Sequence, residues 1–204
     1  MASEFPRVRS TTRERQREDT RQRVFEAALL VFRRDGIETA RIQDITQEAG
    51  VSHGTFYFHF PAKDDVLLEL LRLSQEEVVQ RVELLPEEVE LSEVLAVVGE
   101  CIAQHWQEDA AFFPAVGALA LRTMATSTVA RDNSTIRLAL QRRFSKAAER
   151  GELSSLLPPD LLADFFLINI FAAIMGWCAN PSLPLTQVVA GVSILFMNGA
   201  RGIH

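Results

Sequence analysis

Between residues 161 and 178 the chain places eleven large apolar side chains in eighteen positions: Leu161, Leu162, Phe165, Phe166, Leu167, Ile168, Ile170, Phe171, Ile174, Met175 and Trp177. A helix with one buried face needs about three in seven, or roughly eight over this length. Leu161–Cys178 is therefore predicted to be a helix that is apolar on more than one face and must be covered twice. At ~1.5–3 kcal/mol per large side chain, leaving three or four in water forfeits several kcal/mol, a large share of a domain's stability. After the turn Asn180-Pro181-Ser182-Leu183-Pro184, a last helix over about 185–200 shows the same excess, with Val188, Val189, Val192, Ile194, Leu195, Phe196 and Met197. A transmembrane hairpin is the competing solution. Spans need about 20 apolar residues each, whereas these runs are shorter, Asp164 and Asn169 interrupt the first, and the turn has no basic flank. No membrane is expected, and the pair reads as part of a soluble helical bundle.

Composition agrees: 48% of the 204 residues are hydrophobic and 24% charged, with only 10 Gly and 8 Pro, as in an ordinary globular protein of one or two domains. Cys101 and Cys178 are too few and too far apart for a disulfide framework or a zinc ribbon. The basic N-terminus is followed by no apolar run, so it is not a secretory signal, and a reducing, cytoplasmic location is expected. The net charge of -6 is unevenly spread. Residues 1–63 hold eleven Lys/Arg against nine Asp/Glu, and residues 64–204 hold ten against eighteen. One end can accept a polyanion that the other repels.

Along the chain, residues 1–20 read as a flexible, Arg-rich arm, becoming helical only toward Thr20. Val24, Ala27, Ala28, Val31 and Phe32 then form the stripe of an amphipathic helix that Gly36 stops. A shorter helix carries Ile42, Ile45, Thr46 and Ala49 on one face and ends at Gly50. Ser52 can cap the next segment, His53–Phe60, whose Thr, Phe and Tyr also favour strands, so its period alone does not decide. Pro61 ends it. Six further helices are expected: about 62–85; one capped by Ser92 and reaching Trp106; 115–126; 132–150; and the two apolar ones. The fold class is thus all-α, with domains at 21–66 and 67–204.

The second and third helices, joined through Ala49-Gly50-Val51-Ser52, make a helix-turn-helix, with Ile45, Val51 and Phe56 packing on the first helix. In such a unit the last short helix enters the major groove. Gln43 can then pair bidentately with an adenine edge, and Arg41 can reach a phosphate or a guanine. Ser52, His53 and Thr55 are candidate base contacts, and Gly54 lets backbone approach the groove wall. Lys63, at a helix N-terminus, is a candidate phosphate ligand.

The segment QDITQEAGVSHGTFYFHFPAKDDVLLELL resembles the DNA-binding part of the tetracycline-repressor (TetR) family of bacterial regulators, over residues 21–71. The run Phe60-Pro61-Ala62-Lys63-Asp64 is its most diagnostic stretch. The family usually has Ser or Thr where Arg41 stands. The resemblance implies that the Tyr57 hydroxyl reaches a phosphate, with His59 doing the same or supporting the turn from inside. It also implies a three-helix head on a six-helix regulatory domain, and a homodimer whose last two helices meet their mates as a four-helix bundle. The implied function is a transcriptional repressor, released from a pseudo-palindromic duplex DNA operator when a small-molecule effector binds.

His105, Trp106, Phe112, Phe113, Met124, Phe144, Phe166, Asn169 and Trp177 mix aromatic, sulfur and a few polar groups, the mixture expected around a largely apolar ligand cavity, and also that of an ordinary core. Cys101 and His105 share one helical face, two of the four ligands a zinc site needs, with no further pair in view. No metal and no cofactor is expected. With four His and no HExxH, GxSxG, phosphate-binding loop or dinucleotide fingerprint, no enzyme is expected either. Two alternatives stay open: a helical carrier of a lipid-like molecule, and a DNA-binding protein with no effector.

Overall fold

The computed structural model describes residues 12–126, 135–153 and 157–200, with the backbone alone at 108, 123–126 and 135. Residues 1–11 of the expected arm and the side chain of Met124 lie outside the described residues. Among those described, every regular element is an α-helix, including the aromatic segment whose period was ambiguous. They are α1 (Thr12–Asp35), α2 (Ile42–Ala49), α3 (His53–His59), α4 (Lys63–Leu84), α5 (Leu91–Glu108), α6 (Phe113–Thr126), α7 (Thr135–Glu149), α8 (Pro159–Ala179) and α9 (Leu185–Ala200). The chain divides into two compact units, residues 1–66 and 67–204.

The first unit closes around Val24, Ala28, Val31 and Phe32 of α1, Ile45 of α2, Phe56 of α3 and Phe60, each no more than 1% exposed. Phe25 stacks on Phe60 at 6.4 Å and Phe60 leans on Phe56 at 6.2 Å, adding aromatic contact to simple burial. Gly50 makes the turn between α2 and α3. At φ 63° it donates its N–H to Gln47 O, and Val51 donates to Thr46 O, the paired bonds that satisfy a helix C-terminus and require a left-handed residue. The main departure from expectation is α1, which starts at Thr12 instead of near Thr20. Its first turns carry no apolar periodicity. They continue a helix nucleated by the buried stripe further on, and propagation costs far less than nucleation.

In the second unit α9 packs on α5 and α8, α8 on α7 and α6, and α5 on α7. By length and composition α8 could cross a membrane, with mean hydropathy 1.9 over its most apolar window. Here it packs among α6, α7 and α9, and its Asp164 holds a two-bond ion pair with Arg137 of α7 at 2.6 and 2.8 Å. The N-terminus of α5 is not capped by Ser92. Glu152, beyond the end of α7, accepts the Leu91 N–H at 2.8 Å, a partner sixty-one residues away that local spacing does not reveal. Arg143 of α7 donates to the carbonyls of Val82, Leu85 and Pro86 and so ties down the C-terminal end of α4.

Gly99 sets how closely α5 approaches α9. A Cβ there would stand 2.6 Å from Val189 Cγ1. Gly99→Ala gains up to about 1 kcal/mol of helix propensity, against about 1–3 kcal/mol for overpacking a filled contact. Urea unfolding should therefore show a net loss of stability, and a more stable variant would mean that the two helices yield.

Candidate functional site

The seven-residue α3 is held by both ends and one face. Ser52 caps it, its Oγ accepting the Thr55 N–H at 3.1 Å while lying 2.9 Å from Thr55 Oγ1. Phe56 is buried, and Phe60 N–H closes the last turn on Phe56 O at 2.8 Å. What remains outward is the face formed by His53, Gly54, Tyr57 and Phe58, with Tyr57 51% and Phe58 64% exposed. A Cβ on Gly54 would meet only Ser52 Oγ, at an ordinary 3.7 Å. The fold itself does not require glycine there.

The expected contact residues therefore divide. His53, Gly54 and Tyr57 share one exposed surface, and Gln43 and Arg41 are exposed at the N-terminal end of α2. Arg41 is the residue preceding that helix and makes no side-chain cap. Ser52 and Thr55 spend their hydroxyls largely on each other, with Thr55 half-buried. His59 is half-buried at the end of α3, edge-on to Phe58. Partial burial and then the charges of Arg17 and Arg21 hold its imidazole below the ordinary histidine pKa. Its carbonyl accepts Arg21 Nη1 at 3.0 Å. Phe58, which the sequence reading passed over, belongs to the outward face.

Lys63 departs most from expectation. Its ammonium is turned inward and donates to the carbonyls of Ile37 and Ala40, both at 2.9 Å, and of Glu38 at 3.4 Å. Those three carbonyls lie in the α1–α2 link, and an ammonium has three donors to give. The N-terminus of α4 is already supplied with negative charge by Asp64 and Asp65, and Asp65 accepts the Ala62 N–H at 2.7 Å. An anion is thus favoured less there than the position of Lys63 in the sequence suggests.

Within the second unit lies an apolar cavity of about 220 Å³. Leu71, Ser74, Gln75 and Val78 of α4 form one wall, Gly117 and Ala120 of α6 a second, and Ile168, Phe171 and Ile174 of α8 a third. Of the expected ligand residues, Trp106 and Phe113 line it, edge to face at 4.8 Å. Phe112, Phe144 and Phe166 are core side chains outside its wall. His105 sits instead beside Glu77, with Nδ1 3.7 Å from its carboxylate and Nε2 buried without a partner. Asn169 donates to Phe165 O at 2.8 Å and Trp177 Nε1 to Leu183 O at 2.7 Å, so both are engaged elsewhere. The missed signal is the pair Gly117 and Ala120 among the small residues of α6. A Cβ on Gly117 would stand 2.9 Å from the Phe171 ring.

Ile168 belongs to two surfaces. It lines the cavity, yet it is 60% exposed and shares the outward side of α8 with Phe165. On α9, Ile194 and Leu195 are 62% and 74% exposed. Among the described residues no group of three His, Cys, Asp or Glu side chains could hold a metal ion. Burial and the neighbouring Glu77 push the Cys101 thiol up to about 11, which leaves it protonated.

Residues 24–70 match the family model of bacterial regulatory proteins, tetR family. This stretch carries the tetR-family helix-turn-helix. Its N-terminal part is 43% identical over 58 residues to the HTH-type transcriptional regulator SrpR of Pseudomonas putida, covering 28% of this chain and 27% of SrpR. It is 35% identical over 68 residues to the HTH-type transcriptional regulator AcrR of Shigella flexneri, covering 33% of this chain and 31% of AcrR. The chain thus spans less than a third of the length of these two regulators in the matched region. Across both units, the transcriptional regulator FadR from Bacillus subtilis, in complex with stearoyl-CoA, superposes with a TM-score of 0.69 at 20% identity, covering 90% of this chain and 99% of FadR. The shared fold is therefore an N-terminal helix-turn-helix unit followed by a larger helical one.

In the tetR-family unit described here Lys63 is a clamp. Lys63→Met should lower the unfolding free energy by about 1–3 kcal/mol, since at least two part-buried carbonyls lose a charged donor. Chemical denaturation checks this, and an unchanged midpoint would make the clamp incidental.

Proposed function

We propose that two copies of this chain bind one stretch of duplex DNA as a transcriptional repressor, and that a small apolar molecule in the cavity of the second unit releases it. The observation that carries the DNA half is the outward face of α3. His53 and Tyr57 stand beside Gly54, a helical glycine for which the fold has no steric need, as expected where another molecule must come close. Gln43 and Arg41 flank that face from α2, and Ser52 and Thr55 support it. Lys63 supports it from inside and is not placed among the contacts. Acting on DNA, the protein works in the cytoplasm of its bacterium.

The dimer is supported by the uncovered apolar side of α8 and α9, where Phe165, Ile168, Ile194 and Leu195 together favour a mate through burial of apolar surface. Two-fold pairing also suits a pseudo-palindrome, because each copy then presents one α3 to a successive face of the major groove.

The effector is read from the cavity wall. Ser74 and Gln75 are its polar side chains, and Ser74 already donates to Leu71 O at 2.8 Å. Volume and lining suit a compact apolar molecule or one end of an acyl chain, a chemistry supported by the acyl-CoA held by the structurally similar FadR. Release needs only that the molecule bind the DNA-competent state less tightly than the other.

Fluorescence anisotropy on duplex fragments from upstream of the chain's own gene tests the DNA reading. Gln43→Ala should relax base preference at one position per half-site by roughly 1–3 kcal/mol. Uniform weakening across sequences would move Gln43 to the backbone, and no salt-dependent binding at all would favour the carrier alternative. The cavity reading is tested by a panel of acyl and aromatic hydrophobic compounds. An active compound should raise the melting temperature of the wild type and weaken its DNA complex, while Ala120→Phe, which fills the cavity, should bind DNA normally and respond to none. A panel with no active compound would favour a repressor without an effector.

A further inference from the structure

The buried stripe of α1 does not stop where the core stops. Phe32, Ala28 and Val24 are covered by the first unit, and toward the N-terminus the same stripe continues, one turn at a time, as Arg21, Arg17 and Arg13. This basic extension lies against the end of α3. Arg21 is half-buried, its guanidinium carbon 4.4 Å from the centroid of the Phe60 ring, while it donates to His59 O. One turn further out, the Arg17 guanidinium carbon stands 5.0 Å from the centroid of the Phe58 ring. Phe58 lies on the outward face with His53, Gly54 and Tyr57. Arg13, exposed like Arg17, follows one turn beyond.

We infer that Arg17 and Arg13 form a phosphate-binding strip alongside α3, contacting the DNA backbone next to the groove that α3 enters; this rests on the DNA reading proposed above. Three features carry it. The helix places the two guanidinium groups on the side of α1 that meets α3, and i,i+4 spacing lines them up. Arg21 anchors the strip, so little order must be created on binding. A cation over the Phe58 ring keeps its donors in water, ready for phosphate oxygens. The strip lies ahead of residue 24, where the family match begins.

Phosphate contacts are independent of sequence, so the test needs no operator. The full-length protein is titrated onto a fluorescently labelled duplex of arbitrary sequence over a range of salt concentrations. Removing both arginines as Arg13→Gln/Arg17→Gln should reduce the slope of log affinity against log salt by about 0.9 for each arginine on each protomer. Arg17→Lys, which keeps the charge, should retain the wild-type slope, as should Arg15→Gln, an equal change of charge on the other side of α1. If the double variant melts early, Arg13→Gln alone leaves the Arg17–Phe58 contact in place and still predicts a fall of about 0.9 per protomer. A double variant that keeps the wild-type slope, or an Arg15→Gln slope that falls as far, overturns the strip and leaves Arg17 as a brace for α3. Absence of any salt-dependent binding by the wild type would instead overturn the DNA reading itself.

Discussion

A helix of seven residues has no stability of its own in water, so everything proposed for α3 depends on what holds it from outside. Phe56 and Phe60 anchor one side in the core of the first unit, Ser52 closes the N-terminal end and Arg21 holds the carbonyl at the other. Gly50 fixes the angle at which the chain enters, and the Lys63 ammonium gathers the carbonyls of the α1–α2 link so that α1 and α2 keep their relation. The exposed face is thus an output of the buried one.

The second unit uses a different economy. Its long apolar helix, α8, meets α7 and α9 on one side, lends side chains to the cavity on another and leaves a third uncovered. Small residues regulate spacing: Gly99 lets α5 close on α9, and Gly117 lets the Phe171 ring sit against α6. A strong charge pair of α8, Asp164 with Arg137, sits at its junction with α7. A paired charge tolerates partial burial, where a single one would not.

Much of this was legible in the residues. Helical period placed the buried stripe of α1, Gly50 announced the turn, and the excess of large apolar residues in α8 signalled that a single buried face was not enough. Other features could not be read, for definite reasons. The first turns of α1 have no apolar rhythm, because their partners are aromatic rings forty residues away that receive guanidinium groups. Lys63 looks like an anion ligand in sequence because its true partners are backbone carbonyls, which carry no residue identity. Ser92 looks like a cap because the actual cap, Glu152, comes from another helix end. The expected cavity residues were chosen for aromatic content, whereas an internal space is made by what is missing. Gly117 and Ala120 were the better guide, and Phe144 and Phe166 fill volume instead of enclosing it.

Ile168 is common property of the hollow and of the uncovered flank. A guest lodged inside would press on the same side chain that a mate touches from outside. Under the pairing proposed above, news of occupancy then crosses between subunits by a single sideways push, with no chain of intermediates to relay it.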